Sequence, residues 1–315
     1  MTRTVGRVAS AAGMEFRSEL WPNLHHTLYA AAWDRRRRSG LRARVLAGGL
    51  PSPLDAQLAT TDAETWTAAV DYYDRVLASS DLLFGPGMSA LNQALSIGEL
   101  GSPALTPDLR TTLTAVAPVY RDAYWQAHDA ANRRWIADTV RRVDELAPTV
   151  VPRLAEWFDS PWPTPESPVR VDVVWVGGWS GAYTTSEPPH ITTASGDPRA
   201  TGWSAAEIMF HEATHLLVFD LMAELRCALD GQVSEYRDLW HAVLFYLTGY
   251  AVQDALRRRG VAYEPYVYAN GLFDRLWAVY REPVEAGWRP YAEGRCTRDT
   301  AIAATVAALR ASTST

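Results

Sequence analysis

The sequence predicts an α+β protein that is predominantly α. Three observations carry this. Apolar residues recur at helical spacing through much of the first half, one Val-rich stretch near the middle is the only convincing β run, and helical patterning returns from Trp203 onward. The expected order is a helical N-terminal lobe, a small antiparallel sheet and a second helical region.

Each element has its own signal. Residues 63–84 set Trp66, Ala69, Val70, Tyr73, Val76 and Leu77 at helical spacing. Residues 119–147 do the same with Tyr120, Tyr124, Ala131, Trp135, Val140 and Val143, and Pro118 stands where it could begin that helix. Six prolines between Pro148 and Pro168 predict a junction, so the chain divides into a helical region 1–168 and a second region 169–315. Residues 169–176 form the Val-rich strand, ended by Gly177-Gly178. Two shorter strands follow at 182–185 and 190–193, with Pro188-Pro189 between them. Ser204 and Glu207 have capping-box spacing, flanked by Trp203 and Ile208 as a hydrophobic staple. They predict a helix from Ser204 to about Leu229, stopped by Asp230-Gly231. A second helix is expected from Ser234 to Arg259 before Gly260, and a last one over 298–311.

With 315 residues the chain is long enough to bury a substantial core, and 48% hydrophobic against 21% charged residues excludes wholesale disorder. A net charge of −6 excludes a polyanion-binding surface, so no nucleic-acid partner is expected. All 30 basic residues are Arg, and the single cluster, Arg35-Arg36-Arg37-Arg38, reads as a solvated helix face. No apolar run approaches the roughly 18 residues of a membrane span, and the N-terminus lacks an apolar core of secretory length. A soluble, cytoplasmic protein without a membrane partner is the expectation. Cys227 and Cys296 are too few for a disulfide framework or a Cys-based zinc site and are expected as reduced core thiols.

The chemistry lies in His211-Glu212-Ala213-Thr214-His215, an HExxH motif. Residues four apart on a helix share a face, so both imidazoles can grip one Zn²⁺ at about 2.0–2.1 Å. Glu212 is rotated by about 100° and is free to act on a metal-bound water. Random placement of the 16 Glu and 7 His would give roughly 0.008 such matches in this chain. The motif also sits among Ile208, Met209, Phe210, Leu216, Leu217 and Val218, where uncompensated polar groups are costly.

A catalytic zinc usually takes a third protein ligand, and His241 and Glu235 are the candidates. An antiparallel helix hairpin turning near 229–232 brings His215 opposite residues 241–246, which favours His241. Glu235 has a simpler role as a carboxylate in a first helical turn. Asp238, one turn before His241, could orient a ligand ring.

Over residues 170–250 the chain resembles the zincin metallopeptidases, in a layout most similar to the gluzincins. That resemblance implies a helical zinc-binding region and an edge strand, here Gly181–Thr185, that pairs with an extended peptide. It also implies Zn²⁺ as cofactor, His211 and His215 as ligands, Glu212 as general base, and a peptide or protein as substrate. Gluzincins use Glu as third ligand, and Glu235 has a spacing near theirs, so His241 would make this a variant site. A Tyr or His usually steadies the oxyanion in that group, and Tyr266, Tyr268 and Tyr291 lie downstream. The expected function is therefore a zinc-dependent metallopeptidase. The rival readings are an inactive zinc-binding module, a zinc hydrolase of a non-peptide amide or ester, and a helical protein whose motif is accidental. His25-His26 and His190 are weaker metal or cleft candidates, and most of the 13 Trp read as core.

Overall fold

The computed structural model describes residues 9–38, 60–178 and 181–312. The predominantly helical α+β class is what it shows. Two compact units divide the chain, one made chiefly of Met14–Asp138 with Val169–Ala200, the other of Thr139–Pro168 with Thr201–Thr315. The sheet residues after 169 thus group with the helices of the first half, whereas the sequence boundary at 168/169 put them with the second region.

In the first unit the strands are β1 (Ala9–Ala11), β2 (Met14–Arg17), β3 (Val169–Val174), β4 (Ala182–Ser186) and β5 (Pro189–Ala194), in the spatial order β1-β2-β3-β5-β4. The expected antiparallel sheet is in fact mixed. β4 and β5 form the antiparallel hairpin, but β3 pairs in parallel with both β2 and β5. The reason is Met14–Arg17, too short to read as a strand alone, which enters the sheet beside Val169–Asp172. Val171, Val173 and Val174 are fully buried, as a strand covered on both faces requires.

The helices of this unit are α1 (Leu20–Arg38), α2 (Thr60–Val76), α3 (Met88–Ser96) and α4 (Pro107–Tyr120), followed by a π-helical turn, Arg121–Trp125, and the first part of α5 (Gln126–Phe158). α4 starts where Thr106 Oγ1 accepts from the Leu109 N–H at 3.2 Å, with Pro107 at the first helical position. Pro118 accordingly lies inside α4 and begins nothing. Leu24, Leu28, Tyr73, Leu113, Val116 and Tyr120 make a core with no measurable exposure. Arg35 and Arg36 pair with Asp71 and Asp74 of α2; the side chains of Arg37 and Arg38 lie outside the described residues.

The second unit takes the rest of α5, then α6 (Trp203–Thr214), α7 (Phe219–Leu229), α8 (Leu239–Arg257), two short helices α9 (Tyr266–Ala269) and α10 (Leu272–Leu276), α11 (Ala278–Ala292) and α12 (Arg298–Ser312). α5 runs through Pro148 and Pro152, where the proline density predicts a break. Its stripe of Val143, Leu146, Val150, Leu154 and Phe158 is buried throughout, and that burial outweighs the hydrogen bonds lost at two prolines. α8 is the centre of this unit: Ala242, Val243, Leu244, Leu247, Ala251, Val252 and Leu256 are all fully buried, with α6, α9 and α11 packed around it.

Two further expectations change. The helix expected over 204–229 breaks after Thr214, where Leu216 and Leu217 close a turn and Leu217 and Val218 are buried before α7 restarts. The helix expected from Ser234 begins at Leu239, because residues 230–238 are spent on turns. The two cysteines are not core thiols: Cys227 is exposed and Cys296 partly so. No helix among the described residues is long and apolar enough to cross a membrane.

Candidate metal centre

α6 positions the motif. Its start differs from the capping box: Gly202, at φ 59°, stands before the first helical residue Trp203, and the Glu207 side chain is used elsewhere. The helix ends on the motif itself, with His215 as its C-cap in right-handed helical geometry at φ −56° and ψ −24°. The His215 N–H donates to the carbonyls of His211 at 3.3 Å and Glu212 at 3.2 Å, so the four-residue spacing still sets both imidazoles on one face. His241 comes from the first turn of α8, which packs against α6.

The three imidazoles converge through the same atom. His211 Nε2 lies 3.2 Å from His215 Nε2 and 3.2 Å from His241 Nε2. The three prospective donor atoms all fall within 4.8 Å of one another. Two nitrogens bound at about 2.0–2.1 Å to a tetrahedral ion stand roughly 3.3 Å apart, so two edges of this triangle already match zinc. Without an ion the arrangement is poorly satisfied. A neutral ring carries one N–H, and the His211 Nε2 can direct it at one neighbour while the other lone pair faces it. Among the described residues His211 Nδ1 has no hydrogen-bond partner, although the residue is 1% exposed. An ion accepting all three lone pairs resolves the first conflict.

The protonation states suit such an ion. Burial, followed by the neighbouring imidazoles His215 and His241, holds His211 well below the ordinary histidine range. Burial lowers His215 to about 4, and burial together with His215 takes His241 well below its usual value. Neutral rings with free lone pairs are the form a metal binds.

Aromatic rings frame the cluster. Phe245, one turn after His241, stacks on His211 with centroids 3.6 Å apart. Trp240 meets His215 edge-on at 5.6 Å and Trp277 meets His241 edge-on at 5.2 Å. Apolar rings hold the imidazoles in place and lower the local dielectric around any charge between them. Glu212 is buried at 5% exposure in the last turn of α6, between the two motif histidines in sequence.

The remaining sequence candidates fall elsewhere. Glu235 is exposed on the turns before α8. Asp238 precedes the first residue of α8, and its carboxylate lies 3.8 Å from the Arg237 guanidinium rather than on an imidazole. Tyr268 donates to Glu285 at 2.9 Å and Tyr291 to the Trp157 carbonyl at 3.1 Å, whereas Tyr266 stacks on Phe245 at 6.0 Å. His25, His26 and His190 belong to the other unit and pair there with Tyr73, Tyr183 and Asp172. β4 lies at an edge of its sheet, in that same unit.

Sequence reasoning missed the supporting residues. Phe245 and Glu207 carried a signal, since each stands four positions from a histidine of the cluster on its own helix, though the spacing of Glu207 reads first as a capping box; Trp277 carried none, because long-range packing alone brings it in. Comparison with protein-family models, with curated proteins and with solved structures finds no match to this chain.

Proposed function

We propose that the protein is a zinc-dependent hydrolase of peptide bonds. The observation that carries this reading is the meeting of three imidazole Nε2 atoms, from an HExxH helix end and from His241, at spacings that suit one tetrahedral ion. His211, His215 and His241 would hold the zinc and leave its fourth position for water or substrate. Zinc in such a site lowers the pKa of a bound water and polarises a carbonyl.

The chain's own residues do the rest. Glu212 accepts the proton of the attacking water and returns it to the leaving amine, the cycle a positioned carboxylate performs in general acid–base catalysis. Phe245, Trp240 and Trp277 pack on the imidazoles and keep them oriented. The peptide preference rests on the zincin resemblance of the motif; the zinc reading rests on geometry.

Glu212→Gln tests the assignment. The variant should keep its zinc and lose peptide hydrolysis by a factor of ~10² to 10⁴, measured on a mixed peptide pool. Undiminished hydrolysis in Glu212→Gln would refute the mechanism.

A further inference from the structure

Glu207 stands one helical turn before His211, and it is 1% exposed. Its carboxylate accepts from the Tyr263 hydroxyl at 2.6 Å and from the Tyr266 N–H at 3.0 and 3.1 Å. These bonds fasten the segment before α9 onto α6. The fit is close. A Cβ at Gly249 of α8 would come within 2.7 Å of Pro265 Cβ and 3.1 Å of Glu207 Oε1, so the glycine is what lets the segment settle there.

The fastened segment leads back to the metal centre. Tyr266 stacks on Phe245 with the rings 16° apart, and Phe245 stacks on His211. A metal-bound histidine is normally oriented by a hydrogen bond at its other ring nitrogen. In His211 that nitrogen, Nδ1, has no partner among the described residues. The ring is therefore held at its Nε2 edge, where it meets His215 and His241, and on its face, where it lies on Phe245.

We propose that Glu207 is a positioning residue of the metal centre, acting through Tyr266 and Phe245 to fix the plane of the His211 imidazole. This rests on the zinc reading above. A carboxylate that reaches the ligand by way of two stacked rings replaces the direct carboxylate–imidazole bond of an ordinary site.

The test uses the full chain loaded with Co²⁺ for its visible ligand-field spectrum, and with Zn²⁺ for affinity by chelator competition. Glu207→Ala should weaken Zn²⁺ about tenfold or more and alter the Co²⁺ spectrum, as loss of an orienting partner does. Glu207→Gln keeps an acceptor for the Tyr266 N–H and should restore most of both. Phe245→Leu should reproduce the spectral change, and the double variant Glu207→Ala/Phe245→Leu should lose no more than Phe245→Leu alone. Wild-type affinity and an unchanged spectrum in folded Glu207→Ala overturn the proposal while leaving the zinc reading intact. Should Glu207→Ala not fold, a wild-type spectrum in Phe245→Leu overturns it equally. A wild-type chain that binds neither ion overturns the zinc reading and this proposal with it.

Discussion

His211 Nε2 and His241 Nε2 lie 3.2 Å apart, although thirty positions separate the two residues in sequence. Two ring nitrogens this close, one buried and one half-buried, are an unfavourable pair unless a proton or an ion lies between them. The contact joins two largely buried helices, so both the histidines and the helix placement have to be right for it to exist.

The third-ligand assignment follows from this contact. His241→Ala should reduce zinc affinity well beyond the ~10–100-fold that an orienting partner commands. Glu235→Ala, on an exposed turn, should hold zinc within about twofold of wild type. Zinc content after dialysis against a weak chelator reads both. The opposite ranking would move the ligand to Glu235.

Acid should weaken the metal-free fold. Burial lowers His26, His128 and His215 to about 4, and places His25, His211 and His241 well below their ordinary value. The unfolded chain takes up these protons near pH 6.5 and the folded chain does not. Their contribution is complete above pH 6.5 and is lost as pH falls toward 4. Glu207 acts in the other direction. Burial, opposed by the Tyr263 and Tyr266 donors, raises it to about 7, so its contribution is complete below the ordinary 4.5 and is lost as pH rises toward 7. Burial raises Glu19 and Asp144 as well, and six histidines outweigh these three carboxyls. Tm measured in chelator should therefore drop between pH 6.5 and 4, and a flat profile would contradict the burial of these rings. Glu207→Gln should gain stability relative to wild type as pH rises through the same range.

Much of this was legible in the sequence, and the residues show where legibility ended. The helix carrying the HExxH spacing and the nearness of His241 to it needed only local pattern and a count along two helices, although that helix starts after Gly202 rather than at the capping box. The hairpin count placed His241 near the motif even though the first helix breaks at 214, because α8 packs directly on α6 rather than on α7 alone. The break was invisible, since no Gly or Pro marks Leu216–Val218. The parallel sheet was invisible too: four residues at Met14–Arg17 carry no period by themselves, and they become a strand only against Val169–Asp172. Pro148 and Pro152 misled for the converse reason, a strong local signal overridden by a buried stripe.

Asn132 is the polar pivot of the first unit. Its Nδ2 reaches Ser18 Oγ at 3.1 Å, Asn23 Oδ1 at 3.0 Å and the Val173 carbonyl at 3.1 Å, while its Oδ1 accepts from Ser195. It has no exposed surface. Asn132→Ala strands several of these groups and should cost about 1–3 kcal/mol in denaturant unfolding. A change under ~0.5 kcal/mol would show that water replaces the side chain.

Gly249→Ala should also destabilise, by about 1–3 kcal/mol, since the added methyl must displace Pro265 backed by the Glu207 contact. The same substitution should lower zinc affinity, because it presses on the segment that carries Tyr266. Full zinc affinity in a destabilised Gly249→Ala would separate the packing of this segment from the metal centre.

X-ray absorption at the zinc edge, on full-length protein given one equivalent of zinc, reads the ion's surroundings directly. The expected spectrum is one zinc per chain in a four-coordinate shell of nitrogen and oxygen at about 2.0–2.1 Å, with the outer-ring scattering of three imidazoles. Zinc that stays in the buffer, or binds with fewer than three imidazoles, would contradict a metal centre built by His211, His215 and His241.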